Sequence, residues 1–199
     1  MGLQFTTYVP TQLTGVNNTS PTLSAEAVTG LQLPSGARVG MRFYLTQTQA
    51  QELTAGLSYQ CYAGWYREVQ VDAGATANYI AAGYIGAMVT LAKGQDVVTS
   101  VDQSLALGIG PCVFLGKVTP GNYTIVQDNG DATVCANDQV TVGHTLTYAT
   151  NALGLVADSG GTTTAGASLV GIATSLAAVS TVGGLTRCRL GFPFGQSAD

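Results

Sequence analysis

The only histidine in this 199-residue chain, His144, is the first candidate for chemistry, since imidazole is the side chain best placed to exchange a proton near neutral pH. It follows Gly143 at an expected strand end, where a Ser-His-Asp set could be assembled around it. No Gly-x-Ser-x-Gly turn is present to strain and expose a serine nucleophile, so His144 reads as a structural or solvent-facing residue. The acidic residues are dispersed. Glu26, Glu52 and Glu68 lie far apart, and Asp128 and Asp131 flank an Asn129-Gly130 pair that accounts for them as turn residues. A calcium loop would need further oxygen ligands at set spacings. Gly108-Ile109-Gly110 lacks the lysine or third glycine of a phosphate loop.

Cys61, Cys112, Cys135 and Cys188 are 51, 23 and 53 residues apart, too far for the paired spacings of zinc or dithiol redox sites. They are expected to be free, small core hydrophobes in a reducing compartment. Trp65 with Tyr62 and Tyr66 fits either a carbohydrate platform or packing in the core or between subunits; alternating spacing in a β protein favours packing. The expectation is therefore a non-enzyme with no catalytic residues, no cofactor and no metal site.

Composition narrows the class. Charged residues make up 9% of the chain, against about 25% in an average soluble domain. Hydrophobic content is 46%, so the missing charge has been replaced by small polar residues and glycine, not by disorder-promoting acid. Solubility normally relies on interspersed charge, whereas subunit interfaces are depleted in Lys, Glu and Asp. A net charge of −4 on such a surface suits a protein largely covered by other subunits. Lys93, Lys117 and five scattered arginines form no basic run, which argues against nucleic acid. The longest uncharged apolar stretch, 167–184, is interrupted by Gly, Thr and Ser, which argues against membrane insertion. The N-terminus has neither the basic nor the apolar segment of a signal peptide.

The elements that must position these residues are mostly short strands. Residues 1–35 are dense in prolines and polar clusters and are expected to form an extended arm. Phe5, Tyr8 and Val9 within it are candidate contacts with another subunit, and so are Phe192 and Phe194 in the tail. A strand over 39–45 leads into one short helix over 46–53, with Thr48 and Gln51 as its capping box. Strands follow over 58–71 (with Gly64 as a bulge), twice within 79–98, and over 111–118. Asn129-Gly130 between alternating runs at 123–127 and 132–136 predicts a hairpin. Further strands are expected at 140–143, 145–148, 153–157 and 168–173, the last favoured over a buried helix across 167–182. In the final strand, 185–190, Leu185, Arg187 and Arg189 should face one side, and Thr186, Cys188 and Leu190 the other. Short strands at roughly ten-residue spacing predict an all-β fold, a compact antiparallel β-barrel or sandwich with an extended N-terminal arm and one short helix. The expected organisation is an arm at 1–35, a β-rich part at 36–104 and a barrel or sandwich part at 105–195, the last two either separate or one domain.

Pro120, Gly121, Tyr123, Val126, Gln127, Gly130, Ala132 and Val134 have the order and spacing of a segment that resembles one in phage head proteins. Val142-Gly143 to Leu146, Gly171-Ile172-Ala173, and Gly183 to Leu190 are similar to the closing strands of tailed-bacteriophage capsid decoration and cement proteins. The resemblance covers about residues 105–191, and the N-terminal half has no counterpart in it. It implies a homo-oligomer, dimer or trimer, on the outer capsid surface of a virion, folded in the host cytoplasm, with the major capsid protein as partner. It brings no catalytic residues. The competing readings are a tail or baseplate β-protein and a glycan-binding surface module.

Overall fold

The computed structural model describes residues 42–53, 60–75, 81–90, 96–100, 110–149, 154–158, 169–173, 181 and 183–190. The candidate contacts Phe5, Tyr8, Val9, Phe192 and Phe194 lie outside them, as does the rest of the arm. Strand β1 (Arg42–Leu45) runs into helix α1 (Gln47–Leu53). Then come β2 (Gly64–Val71), β3 (Ile85–Thr90), β4 (Asp96–Ser100), β5 (Gly110–Phe114) and β6 (Tyr123–Cys135). The chain closes with β7 (Thr145–Tyr148), β8 (Val156–Asp158), β9 (Leu169–Ala173) and β10 (Leu185–Leu190). Among the described residues the fold is all-β with one short helix.

The helix lies within the expected 46–53 span, but its cap is two residues earlier than expected. Thr46, not Thr48, is the cap: its N–H donates to Gln49 Oε1 at 3.0 Å, and the Gln49 N–H donates to Thr46 Oγ1 at 3.4 Å. Both Thr-x-x-Gln pairs have capping-box spacing, and packing decides between them. With Thr46 as cap, Leu45 and Ala50 occupy the flanking positions that pack together as a hydrophobic staple, and both are buried in one core cluster.

The strands join in the order β1-β2-β4-β3-β5-β6-β10-β9-β7-β8, and β2 also pairs with β6. All strand pairs are antiparallel except β2 with β4. The pairings through β2, β4, β3, β5 and β6 return on themselves, but the β2–β4 and β5–β6 seams each hold only two residue pairs. The result is sandwich-like rather than a continuous barrel wall. Apolar side chains fill both faces of its middle. Tyr66, Ile85, Val113, Ile125, Val134, Leu146, Cys188 and Leu190 form the main core. Val69, Val71, Cys112, Phe114, Val118 and Val126 form a second one. Adjacent residues Ile125 and Val126 feed different cores because successive side chains on a strand point to opposite faces.

The expected hairpin at Asn129-Gly130 does not form. Residues 123–135 are one strand, because its first part pairs with β2 and its second with β10 instead of with each other. A type I′ turn needs positive φ at both central residues. Here Gly130 has φ +98°, and no described non-glycine residue has positive φ. Asn129-Gly130 therefore bends a strand. The register with β2 shifts at the same place: Trp65 pairs with Asn129 and Tyr66 with Gln127, which leaves Asp128 as the extra residue of a bulge. The expected strand at 140–143 is instead a turn, closed by the His144 N–H donating to the Thr141 carbonyl at 3.2 Å.

Candidate functional site: an aromatic and arginine face

On β1, Arg42 and Tyr44 share a side; on β2, Trp65 and Arg67 share one; the register sets Arg42 opposite Arg67 and Tyr44 opposite Trp65. The bulge then aims Asp128 at the two arginines. Arg42 Nε is 3.1 Å and Arg67 Nε 3.0 Å from the Asp128 carboxylate, whose side chain is only 2% exposed. The next acid repeats the pattern. Asp131 accepts hydrogen bonds from Arg187 Nη2 and from Arg189 Nε, the latter at 2.9 Å. Burial pushes the Asp131 carboxyl up, but the hydrogen bonds and charges of Arg189 and Arg187 outweigh it and hold the group below the ordinary aspartate value.

Aromatic rings flank these pairs. Arg42 lies over the Trp65 ring at 4.9 Å and Arg187 over the Tyr62 ring at 4.4 Å. Tyr44 meets Trp65 edge-on, with ring centroids 5.5 Å apart. Between them runs a groove of about 350 Å³, walled by Tyr44, Tyr62, Trp65, Asp131, Arg187 and Arg189 and floored by Gly64 and Gly130. Gln47 and Asn129 also line it.

The three aromatics of the sequence cluster part company. Tyr66 is fully buried, its hydroxyl donating to the Tyr62 carbonyl at 2.7 Å, whereas Trp65 is exposed and Tyr62 borders the groove. Alternation along β2 puts neighbours 65 and 66 on opposite faces. Sequence reasoning missed the aspartate–arginine lattice. Asp128 and Asp131 read as turn residues because they flank Asn129-Gly130, and Arg42 and Arg67 are remote from them in the chain. The one available signal was Arg187 and Arg189 on one side of the last strand, and β10 shows that alternation.

His144 has a partner. Its Nδ1 lies 2.9 and 3.0 Å from the two oxygens of Asp158, and the Thr141 N–H donates to the same carboxylate at 2.8 Å. This pair ties the turn before β7 to the end of β8. Two members of a triad are thus in place, and no described hydroxyl or thiol hydrogen bonds to the ring. All four cysteines are free and buried. Burial pushes the Cys61 and Cys188 thiols up to about 12 and Cys135 to about 11, and raises Cys112 as well, so none is poised as a nucleophile.

No known family pattern matches the chain, and no curated protein is similar to it. Among solved structures, the N base of the head fiber protein gp8.5 of bacteriophage phi29 is similar at a TM-score of 0.44 and 16% identity, over 63% of this chain and 92% of that one. A likeness this loose passes no function from one chain to the other.

Proposed function

We propose that the chain is a non-enzymatic structural subunit of a phage head, which binds the outer capsid surface and cements neighbouring major capsid proteins. One observation carries the reading. The segments that resemble decoration and cement proteins are scattered in sequence, yet they lie on β6, β10, β9 and β7, which are consecutive neighbours in the sheet. Scattered matches that assemble into one contiguous unit are what a shared structural unit would leave in a sequence. The low charge of the chain supports the same reading, since little desolvation cost opposes covering such a surface.

Cementing in this reading is mechanical. A subunit that binds only the assembled shell stabilises that shell by mass action. Phe5, Tyr8 and Val9, with Phe192 and Phe194, are the proposed anchors, and a closed dimer or trimer is the proposed oligomer. An extended arm can add a strand to a neighbour's sheet edge, where main-chain hydrogen bonds supply affinity. The test is to assemble particles with and without the chain and heat both. Particles lacking it should release their genome at a lower temperature, and purified chain added back should sediment with them and restore the higher one. Release at the same temperature, or no co-sedimentation, rejects the proposal.

A further inference from the structure

The groove beside β1, β2, β6 and β10 has a chemistry that neither core packing nor the proposed cementing explains. Tyr44 is 53% and Trp65 40% exposed, whereas Tyr66, one position on, is fully buried. Two rings kept in water on a strand pair with an apolar inner side are held there by their neighbours. Arg42, which does not line the groove, backs Trp65, and Tyr44 meets it edge-on, so both rings have a fixed pose without being covered.

The wall next to the rings carries surplus positive charge. One carboxylate, Asp131, meets two guanidiniums, in a chain whose net charge is −4. Each guanidinium has five N–H donors and gives Asp131 one of them, so donors remain for a second anion. Asn129 makes no side-chain hydrogen bond among the described residues, which adds a free amide to the lining. A volume of about 350 Å³ falls in the range of small-ligand sites.

Exposed rings, a free amide and surplus guanidinium select a particular ligand chemistry. The C–H bonds of a sugar ring pack against the electron-rich face of an aromatic ring, its hydroxyls pair with amides, and an acidic substituent pairs with arginine. We propose that this groove binds a saccharide bearing an anionic group, its ring against Tyr44 and Trp65 and its anion on Arg187 and Arg189. None of its lining residues is among the proposed anchors Phe5, Tyr8, Val9, Phe192 and Phe194, so it adds to the cementing role and does not depend on it.

Trp65 is the only tryptophan in the chain, so tryptophan emission reports on the groove alone. The full chain is passed over an array of neutral glycans and of glycans bearing uronate, sialate or phosphate, and the hits are titrated by Trp65 fluorescence with triglutamate as an acidic peptide control. Expected are saturable binding of acidic glycans, at least tenfold weaker binding of neutral counterparts and of triglutamate, and a tenfold or greater loss in Tyr44→Ala and in Arg189→Ala. The Tyr44 side chain is largely exposed, so Tyr44→Ala should melt as the parent does; Arg189→Ala gives up one partner of Asp131 and should melt slightly lower but still cooperatively, which shows that it folds, and Lys117→Ala should bind as the parent does. No glycan retained, or triglutamate bound as tightly as the acidic glycans, overturns the proposal and makes the groove a protein contact. Particle occupancy by Tyr44→Ala separates the two functions: it should be unchanged.

Discussion

Gly64 and Gly130 face each other across the β2–β6 ladder, so close that a Cβ on Gly130 would stand 3.0 Å from the Cα of Gly64. The reverse substitution is worse, because a Cβ on Gly64 would stand 2.4 Å from the Asn129 carbonyl oxygen. Two backbones cross here with no room for a side chain, and this crossing lets one strand bend from β2 towards β10.

Gly64→Ala and Gly130→Ala should therefore each lower stability by about 2 kcal/mol or more, since overpacking against backbone cannot relax by a rotamer change. Gly143 has a similar positive φ, +84°, but nothing within 4 Å of its absent Cβ. Gly143→Ala should cost only about 1 kcal/mol of backbone strain. Urea midpoints of the three variants give the ranking, and equal losses would show that conformation, not crowding, governs the crossing.

Removing Asp128 should be costly. Its carboxylate is almost fully buried between Arg42 and Arg67, and deleting it takes the shared counter-charge away from both guanidiniums. Asp128→Ala should lose about 3 kcal/mol. The triple change Asp128→Ala, Arg42→Met, Arg67→Met should recover part of that, because the two guanidiniums are removed together with the carboxylate that bound them. Denaturant unfolding of the single and triple variants measures both effects.

Asp131 makes part of the stability dependent on acid. Its folded pKa is depressed, so its contribution is complete above the unfolded value of about 4 and is lost as pH falls through the lower folded value. At pH 7 the parent should be more stable than Asp131→Asn, and the gap should close as pH drops below 4. Melting curves across that range check the sign; a gap that widens in acid would mean that the arginines do not govern this carboxylate.

The thiols should be silent in the native state. With all four buried and their pKa values raised, the thiolate fraction at pH 8 is small and shielded. Iodoacetamide should label none of the four in buffer and all of them in guanidinium chloride, as read by mass spectrometry. Labelling of Cys135, the least buried of them, would show local opening near the chain's β6 terminus.

Much of this architecture was legible from local rules. The alternation of 185–190 predicted both the extent and the facing of β10, because one face is buried and the pleat has a period of two. The short helix followed from side-chain preferences that operate within four residues. The Asn129-Gly130 pair was misread for a non-local reason: β2 and β10 compete for the flanking segments, and neither lies near them in sequence. The groove was hidden in the same way. Its walls come from residues 44 to 189, and no spacing rule relates Arg187 to Tyr62 or Asp128 to Arg42. Exposure of Trp65 against burial of Tyr66 follows strand alternation, but which face of β2 is covered depends on partners remote in sequence.

The long bent strand β6 also bears on how the chain is made. Its partners, β2 and β10, lie roughly equally far before and after it, so contact order is high and neither half can bury its share of the core alone. A ribosome that has delivered only the first 150 residues has delivered β6 with its β10 side still bare, an open template for another chain. Synthesis past β10 is then a precondition of safe folding, and chains truncated before residue 185 belong among the species that chaperones or proteases must remove.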